Sequence, residues 1–196
     1  MDYLIATHNK GKRAELQRIL EPLGINIKLD FELGISLSEV EETGESFAEN
    51  AYLKAFSGCR ESGLPCIADD SGLMVDALDG RPGVYTARYG GEETDYPTKI
   101  ELLIKELELV PMEKRTARFV SSICCCYPDG KRLCAEGKCE GYIGSEPKGE
   151  QGFGFDPIFY VGNKSFAQMS SDEKDAISHR GNSLRAFVEI LEREAK

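Results

Sequence analysis

The sequence predicts a mixed α/β fold, a single domain over residues 1–196 built on one twisted sheet with flanking helices. Three observations point there. Short apolar runs such as Tyr3-Leu4-Ile5-Ala6 and Pro65-Cys66-Ile67-Ala68 have the length of buried strands. The stretches between them repeat apolar residues at helical spacing. Finally, Thr116 to Tyr127 is rich in strand formers and leads through Pro128-Asp129-Gly130-Lys131, a turn sequence, into Arg132 to Cys139. At 196 residues and 41% hydrophobic content, the chain can bury one sizeable core.

The elements follow in order. Tyr3 to Ala6 is a short buried strand. From Lys12, the positions Leu16, Ile19, Leu20 and Leu23 mark a helix that Gly24 closes. Ser46 and Glu49 have the spacing of a capping box, so a second helix starts there, buries Phe47, Ala51 and Ala55, and ends at Gly63 and Pro65. A strand through Ala68 ends at the acidic pair Asp69-Asp70, and Leu73 to Leu78 is extended again. Asp79-Gly80-Arg81-Pro82-Gly83 forms a loop. Pro97 suits the first turn of a third helix carrying Ile100, Leu103, Ile104 and Leu107. After the hairpin, the last helix presents Leu184, Phe187, Val188 and Leu191 on one face.

Composition narrows the function. The net charge of -10 argues against a duplex-binding or membrane-surface protein, which needs a broad basic face. A local cluster of cations can still hold a phosphorylated ligand. Met1 to Ala6 lacks the basic start and long apolar run of a signal peptide, and no segment approaches transmembrane length, so a cytoplasmic location is expected. Cys124, Cys125 and Cys126 alternate faces and make poor partners for one another. No Cys/His box accompanies Cys134 and Cys139, and buried, inert thiols are the expectation for the seven cysteines.

Asp69-Asp70-Ser71-Gly72 is the most informative segment. Adjacent carboxylates beside a small hydroxyl suit a site where a hard divalent cation bridges protein to a substrate phosphate. A strand-end turn with Asp as a local acceptor is the plainer alternative. Thr7-His8-Asn9-Lys10-Gly11-Lys12 lies between strand and helix, where backbone N–H groups favour anions and Lys12 adds charge. It is not a Walker A loop, because Ala6 and Arg13 stand where that motif needs Gly and Ser or Thr; an ordinary capped turn fits it equally. Glu41-Glu42-Thr43-Gly44 feeds the Ser46 helix and, taken alone, suits the helix dipole as well as a metal. In Gly152-Phe153-Gly154-Phe155-Asp156-Pro157, two aromatics among glycines suit a wall for a nucleobase, or a kinked strand entering the core. Lys174 to Gly181 offers His179 and Arg180 as donors to a keto oxygen or phosphate, or simply a solvated basic helix start. No Ser/His/Asp triad is discernible.

Taken in order, these segments resemble the inosine triphosphate pyrophosphatase (Ham1-type) family. The resemblance rests on Thr7 to Lys12, Ser46-Phe47-Ala48-Glu49-Asn50-Ala51, Ala68 to Leu73, Gly83-Val84-Tyr85-Thr86-Ala87-Arg88-Tyr89, Gly152 to Pro157, and Ser178-His179-Arg180-Gly181. It implies two lobes around a central nucleotide-binding cleft, usually a homodimer, and Mg2+-dependent hydrolysis of ITP, dITP and XTP to the monophosphate and pyrophosphate. Under that resemblance Thr7, His8, Asn9, Lys10, Gly11 and Lys12 would hold phosphate, and Glu41 and Asp70 would bind magnesium. Asp70 would also be the proton acceptor, and Ser71 would contact substrate. Phe153, Gly154, Phe155, Asp156, Lys174, His179 and Arg180 would hold the nucleotide, mainly at its base. His8 and Thr86 depart from the family's usual smaller residue and Ser. The competing readings are a Maf-like pyrophosphatase of pyrimidine or modified nucleotides, and a non-catalytic nucleotide sensor; a nucleic-acid partner fits least.

Overall fold

The computed structural model describes residues 2–194. Its strands are β1 (Asp2–Ile5), β2 (Asn26–Lys28), β3 (Cys66–Val75), β4 (Thr116–Cys126), β5 (Arg132–Ile143), β6 (Phe159–Val161) and β7 (Lys164–Ser165). Its α-helices are α1 (Lys10–Leu20), α2 (Phe47–Ser62), α3 (Tyr96–Glu106), α4 (Ser171–Ile177) and α5 (His179–Glu194). The strands form one seven-stranded sheet in the order β2-β1-β3-β4-β5-β6-β7. It is mixed: β1 runs parallel to β2 and β3, whereas β6 is antiparallel to β5 and β7.

The chain gathers into two compact units, Met1–Asp70 with Ser121–Gly137 and His179–Lys196, and Ser71–Val120 with Lys138–Ser178. In the first unit β3 is a central strand, paired in parallel with β1, and it is covered on both faces. Ile67 packs with Leu16 and Leu20 of α1 and Leu184 and Phe187 of α5. Its neighbours Cys66 and Ala68 point the other way, onto Ala51, Ala55 and Cys59 of α2. Each fully buried Leu, Ile or Phe here contributes roughly 1.5–3 kcal/mol, so the alternation fixes which face every later residue of the strand takes.

The helix signals act as read. Ser46 Oγ accepts from the Glu49 N–H while Glu49 Oε2 accepts from the Ser46 N–H, and Gly63 ends α2 at φ 69°. Asn9 caps α1, which therefore starts at Lys10, two residues before the expected Lys12. It stops at Leu20; Leu23 lies in a 3-10 turn that Gly24 closes at φ 80°. The Pro128–Lys131 hairpin forms, with the Tyr127 N–H donating to the Lys131 carbonyl at 2.9 Å, and β5 continues past Cys139 to Ile143.

The second unit is built around Leu73, Val75, Ile100, Leu103, Phe119, Phe155, Phe159 and Phe166. Phe119 stacks on Phe166 and meets Phe159 edge-on at 4.7 Å. Asp95 caps α3, and Pro97 occupies its first turn.

Two expectations require correction. The acidic pair does not end a strand: β3 runs straight through Asp69 and Asp70 to Val75, and the segment expected to stay extended to Leu78 turns into a 3-10 helix at Asp76–Leu78. With β1 on one side and β4 on the other, sheet pairing overrides the low strand propensity of Asp, Ser and Gly. The cysteines are not all free thiols, because Cys124 of β4 forms a disulfide with Cys134 of β5. The partner sits across the hairpin, not along the strand. The other five are buried thiols, and burial pushes Cys125 up to about 12 and Cys139 up to about 11, which leaves little reactive thiolate. Among the described residues no helix is long and apolar enough to cross a membrane.

Candidate active site

Strand alternation separates the two carboxylates. Asp69 falls on the Ile67 face, beneath α1 and α5, and Asp70 on the Ala68 face, against α2. Each meets its own cations.

On the first face Asp69 is buried and held from three directions. Lys12 Nζ lies 2.8 Å and Arg180 Nη2 3.2 Å from its Oδ2, while the Ser121 hydroxyl donates to Oδ1 at 2.7 Å. Arg180 also pairs with the buried Glu15 of α1, so its guanidinium bridges two carboxylates. Burial alone would raise the Asp69 carboxyl. The Arg180 and Lys12 charges overcome it and hold the group well below the usual carboxylate range.

On the second face Lys54 of α2 places its ammonium 2.8 Å from Asp70 Oδ1 and 2.8 Å from Glu42 Oε1. Asn50, one turn earlier on the same helix, donates weakly to Asp70 Oδ2 at 3.4 Å and accepts from the Gly44 N–H at 2.8 Å. One ammonium thus serves two carboxylates. Burial raises the Asp70 carboxyl, outweighing the Lys54 and Lys12 charges, and Glu42 repels its ionised form further. Lys54 loses to burial but gains from both acids, so its own proton is held more tightly than usual.

The residues expected to hold phosphate form the entry to α1. The Asn9 N–H donates to Thr7 Oγ1, the Lys12 N–H to Asn9 Oδ1, and the Arg13 guanidinium to the Thr7 carbonyl. His8, Asn9 and Lys10 are exposed, and Gly11 and Lys12 half-buried, at the positive end of an eleven-residue helix. Glu41 is exposed, and its carbonyl accepts from the Thr43 N–H; the acid that shares a cation with Asp70 is its neighbour Glu42.

In the second unit Lys174 Nζ lies 2.6 Å from Asp156 Oδ2, which also accepts from the Phe153 N–H at 2.9 Å. The same ammonium sits 5.0 Å from the Phe153 ring centre. Gly154 carries a φ of 67° in the turn that brings these groups together. Ser71 is half-buried in β3, in this unit.

Phe155 is buried, edge-on to Tyr89 and Tyr96, as the core-entering alternative describes. Arg180 pairs with Glu15 and Asp69 in the first unit, and His179 is the buried first residue of α5. Two buried carboxylates demand a buried cation. Conversely, the sequence reading does not single out Glu15 and Lys54, and it does not foresee that Asn50 reaches Asp70 or that Asp69 pairs with Lys12 and Arg180. The signal for Asn50 and Lys54 was available, since they lie four apart on the helix that precedes the acidic strand.

The donor chemistry of Asp70 and Glu42, with Glu41 beside them, fits a hard divalent cation, because these are carboxylate oxygens with a charge deficit that one lysine now shares. Among the described residues no three or more His, Cys, Asp or Glu side chains gather to hold a metal. An ion held by one or two carboxylates would complete its shell with substrate oxygens and water, the usual magnesium arrangement.

With that geometry in view, the comparisons are specific. The model of the Ham1 family matches residues 3–190. The chain is 46% identical over 195 residues to a dITP/XTP pyrophosphatase of Halalkalibacterium halodurans, covering 97% of this chain and 99% of that one. To a dITP/XTP pyrophosphatase of Bacillus subtilis it is 47% identical, covering 96% of each chain. Among solved structures, the Staphylococcus aureus Ham1 protein superposes with a TM-score of 0.86 at 39% identity, covering 99% of this chain and 100% of that one. A Coxiella burnetii HAM1 protein superposes at 0.87 with 36% identity, covering 98% and 99%.

Proposed function

The chain belongs to the Ham1 family, and on that footing we propose that it is a nucleoside-triphosphate pyrophosphatase that removes ITP, dITP and XTP from the nucleotide pool. Water attacks the α-phosphorus, the bond from that phosphorus to the oxygen bridging to the β-phosphorus breaks, and the monophosphate and pyrophosphate leave. The observation that carries the reading is the pair of opposed sites on β3, with a carboxylate of raised proton affinity, Asp70, beside a second of lowered proton affinity, Asp69.

The roles follow from that asymmetry. Asp70 takes the proton of the attacking water, for which a carboxylate above its ordinary range is the better base. Asp69 stays ionised and keeps Lys12 fixed at the head of α1, where the helix N-terminus and the ammonium receive the triphosphate. Asp70 with Glu41 or Glu42 would hold Mg2+, which would supply charge neutralisation for the phosphates. Lys54 keeps the two acids from repelling each other before substrate arrives.

Base choice falls to the second unit. A 6-keto purine with a protonated N1 offers an acceptor beside a donor, matching the Lys174 ammonium and the Asp156 carboxylate. Adenine reverses both groups and leaves buried polar atoms unpaired, at about 1–3 kcal/mol each. GTP shares the keto edge, so rejecting it must use the 2-amino group, the harder discrimination. The enzyme is a single catalytic domain, cytoplasmic and homodimeric, with a small nucleotide as partner in place of nucleic acid or membrane.

The test is pyrophosphate release from ITP, dITP, XTP, GTP, ATP and dTTP, with Mg2+ and with EDTA. Metal-dependent release favouring ITP, dITP and XTP is expected. Equal turnover of ATP and ITP overturns the base assignment, a pyrimidine bias favours the Maf-like reading, and no release leaves a sensor.

A further inference from the structure

Helix α2 has a second working face. Asn50 and Lys54 turn toward Asp70. Tyr52 lies two residues beyond Asn50 and Phe56 two beyond Lys54, and a two-residue step turns about 200° around an α-helix, so the two rings occupy the opposite side, with Arg60 about one turn beyond Phe56. There, with the end of the β4–β5 hairpin, they line a cavity of about 300 Å³. Its aromatic wall is Tyr52 stacked on Phe56, with ring centres 5.6 Å apart. Phe56 is 42% exposed, an unusual state for a phenylalanine on a helix. Cys59 and Cys126 lie deeper, both buried.

Two guanidiniums flank that wall. Arg60 lies 5.8 Å from the Phe56 ring centre and Arg132 5.2 Å from that of Tyr52. Among the described residues neither arginine pairs with a carboxylate, although the chain carries 34 acidic residues against 24 basic ones. The other charges at the mouth are accounted for: Lys131 pairs with Glu194 at 2.6 Å, and Asp129 accepts from the Lys131 N–H. The cavity therefore presents an aromatic face and two uncompensated, planar cations suited to bidentate contact with phosphate. Its volume is at the lower end for small-molecule sites.

We propose that this cavity binds a nucleoside monophosphate, its base stacked on Phe56 and its phosphate held between Arg60 and Arg132, as a site distinct from that at Asp70. The cationic rim selects the anion, the ring pair selects the planar base, and the limited volume favours a monophosphate over a triphosphate. Helix α2 is the physical link between the two sites, since its other face holds Lys54.

The experiment is photolabelling of the full chain with 8-azidoadenosine monophosphate, followed by peptide mapping, with uncharged 8-azidoadenosine as the comparison. Label is expected within residues 52–60 or 126–132, and weaker with the nucleoside. Phe56→Ala and the double charge reversal R60E/R132E should each weaken saturation at that site by about tenfold or more. Both arginines are exposed and outside the catalytic set, so ITP hydrolysis and thermal melting of R60E/R132E serve as the folding control. Label confined to other peptides, or unchanged in R60E/R132E, overturns the proposal. So does a dimer-to-monomer change in R60E/R132E by light scattering without label at these peptides, which would make the surface an interface between copies.

Discussion

Asp69 and Asp70 are chain neighbours whose carboxylates are held by different cations on opposite faces of β3, Asp69 by Lys12 and Arg180 and Asp70 by Lys54. Opposed environments drive their proton affinities in opposite directions. Under the proposed function, that split would let one short segment supply both a fixed charge and a base.

Removing the fixed charge should be costly to the fold. Asp69→Asn leaves Lys12 and Arg180 buried against a neutral amide, and breaking such a buried cluster costs about 3–5 kcal/mol. Urea unfolding at neutral pH should show the midpoint falling by a matching amount. An unchanged midpoint would mean that Glu15 alone satisfies Arg180.

The same carboxylate sets part of the acid stability. Its folded-state proton affinity is depressed, so its contribution is complete above the ordinary aspartate value of about 3.9. It is lost only as pH falls below that, toward the folded value. Unfolding free energy measured from pH 7 down to pH 2 should therefore drop more steeply below about pH 4 in the wild-type chain than in Asp69→Asn.

Glu42 and Glu41 should separate in effect. Glu42 shares Lys54 with Asp70, whereas Glu41 is exposed. Glu42→Gln leaves Lys54 to Asp70 alone and should lower the proton affinity of that base, moving the acid limb of kcat/KM to lower pH. Glu41→Gln should leave the limb in place. If Glu41 is the metal ligand, its substitution appears instead as a higher Mg2+ requirement.

Gly44 should resist any side chain. A Cβ there would lie 2.6 Å from Asn50 Oδ1 and 2.7 Å from Glu49 Cβ, the residues that cap α2 and reach Asp70. Gly44→Ala is expected to destabilise by about 1–3 kcal/mol and to slow turnover, read by thermal melting and steady-state kinetics.

Much of this was legible in the sequence where local chemistry decides structure. The Ser46 and Glu49 box, the Pro128–Lys131 turn and Pro97 each specify their conformation through atoms a few residues apart. Asp69 and Asp70 were legible as chemistry but not as a mid-strand pair, because the sheet neighbours that keep them extended come from β1 and β4. The same holds for Arg180, whose partners Glu15 and Asp69 lie 165 and 111 residues away. The cross-strand Cys124–Cys134 pair depends on the β4–β5 register. The glycine-rich segment alone did not distinguish Phe155, which fills a core, from Phe153, which packs against Lys174.

The central claim is that Asp70 takes the proton of water attacking the α-phosphorus. Hydrolysis of dITP by wild type and Asp70→Asn, with products resolved by 31P NMR and nucleotide affinity measured alongside, tests it most directly. The expected result is deoxyinosine monophosphate and pyrophosphate from wild type, and a rate lower by about 10²–10⁴-fold in Asp70→Asn with dITP still bound. Turnover of Asp70→Asn near the wild-type rate, or a diphosphate and inorganic phosphate as products, would contradict it.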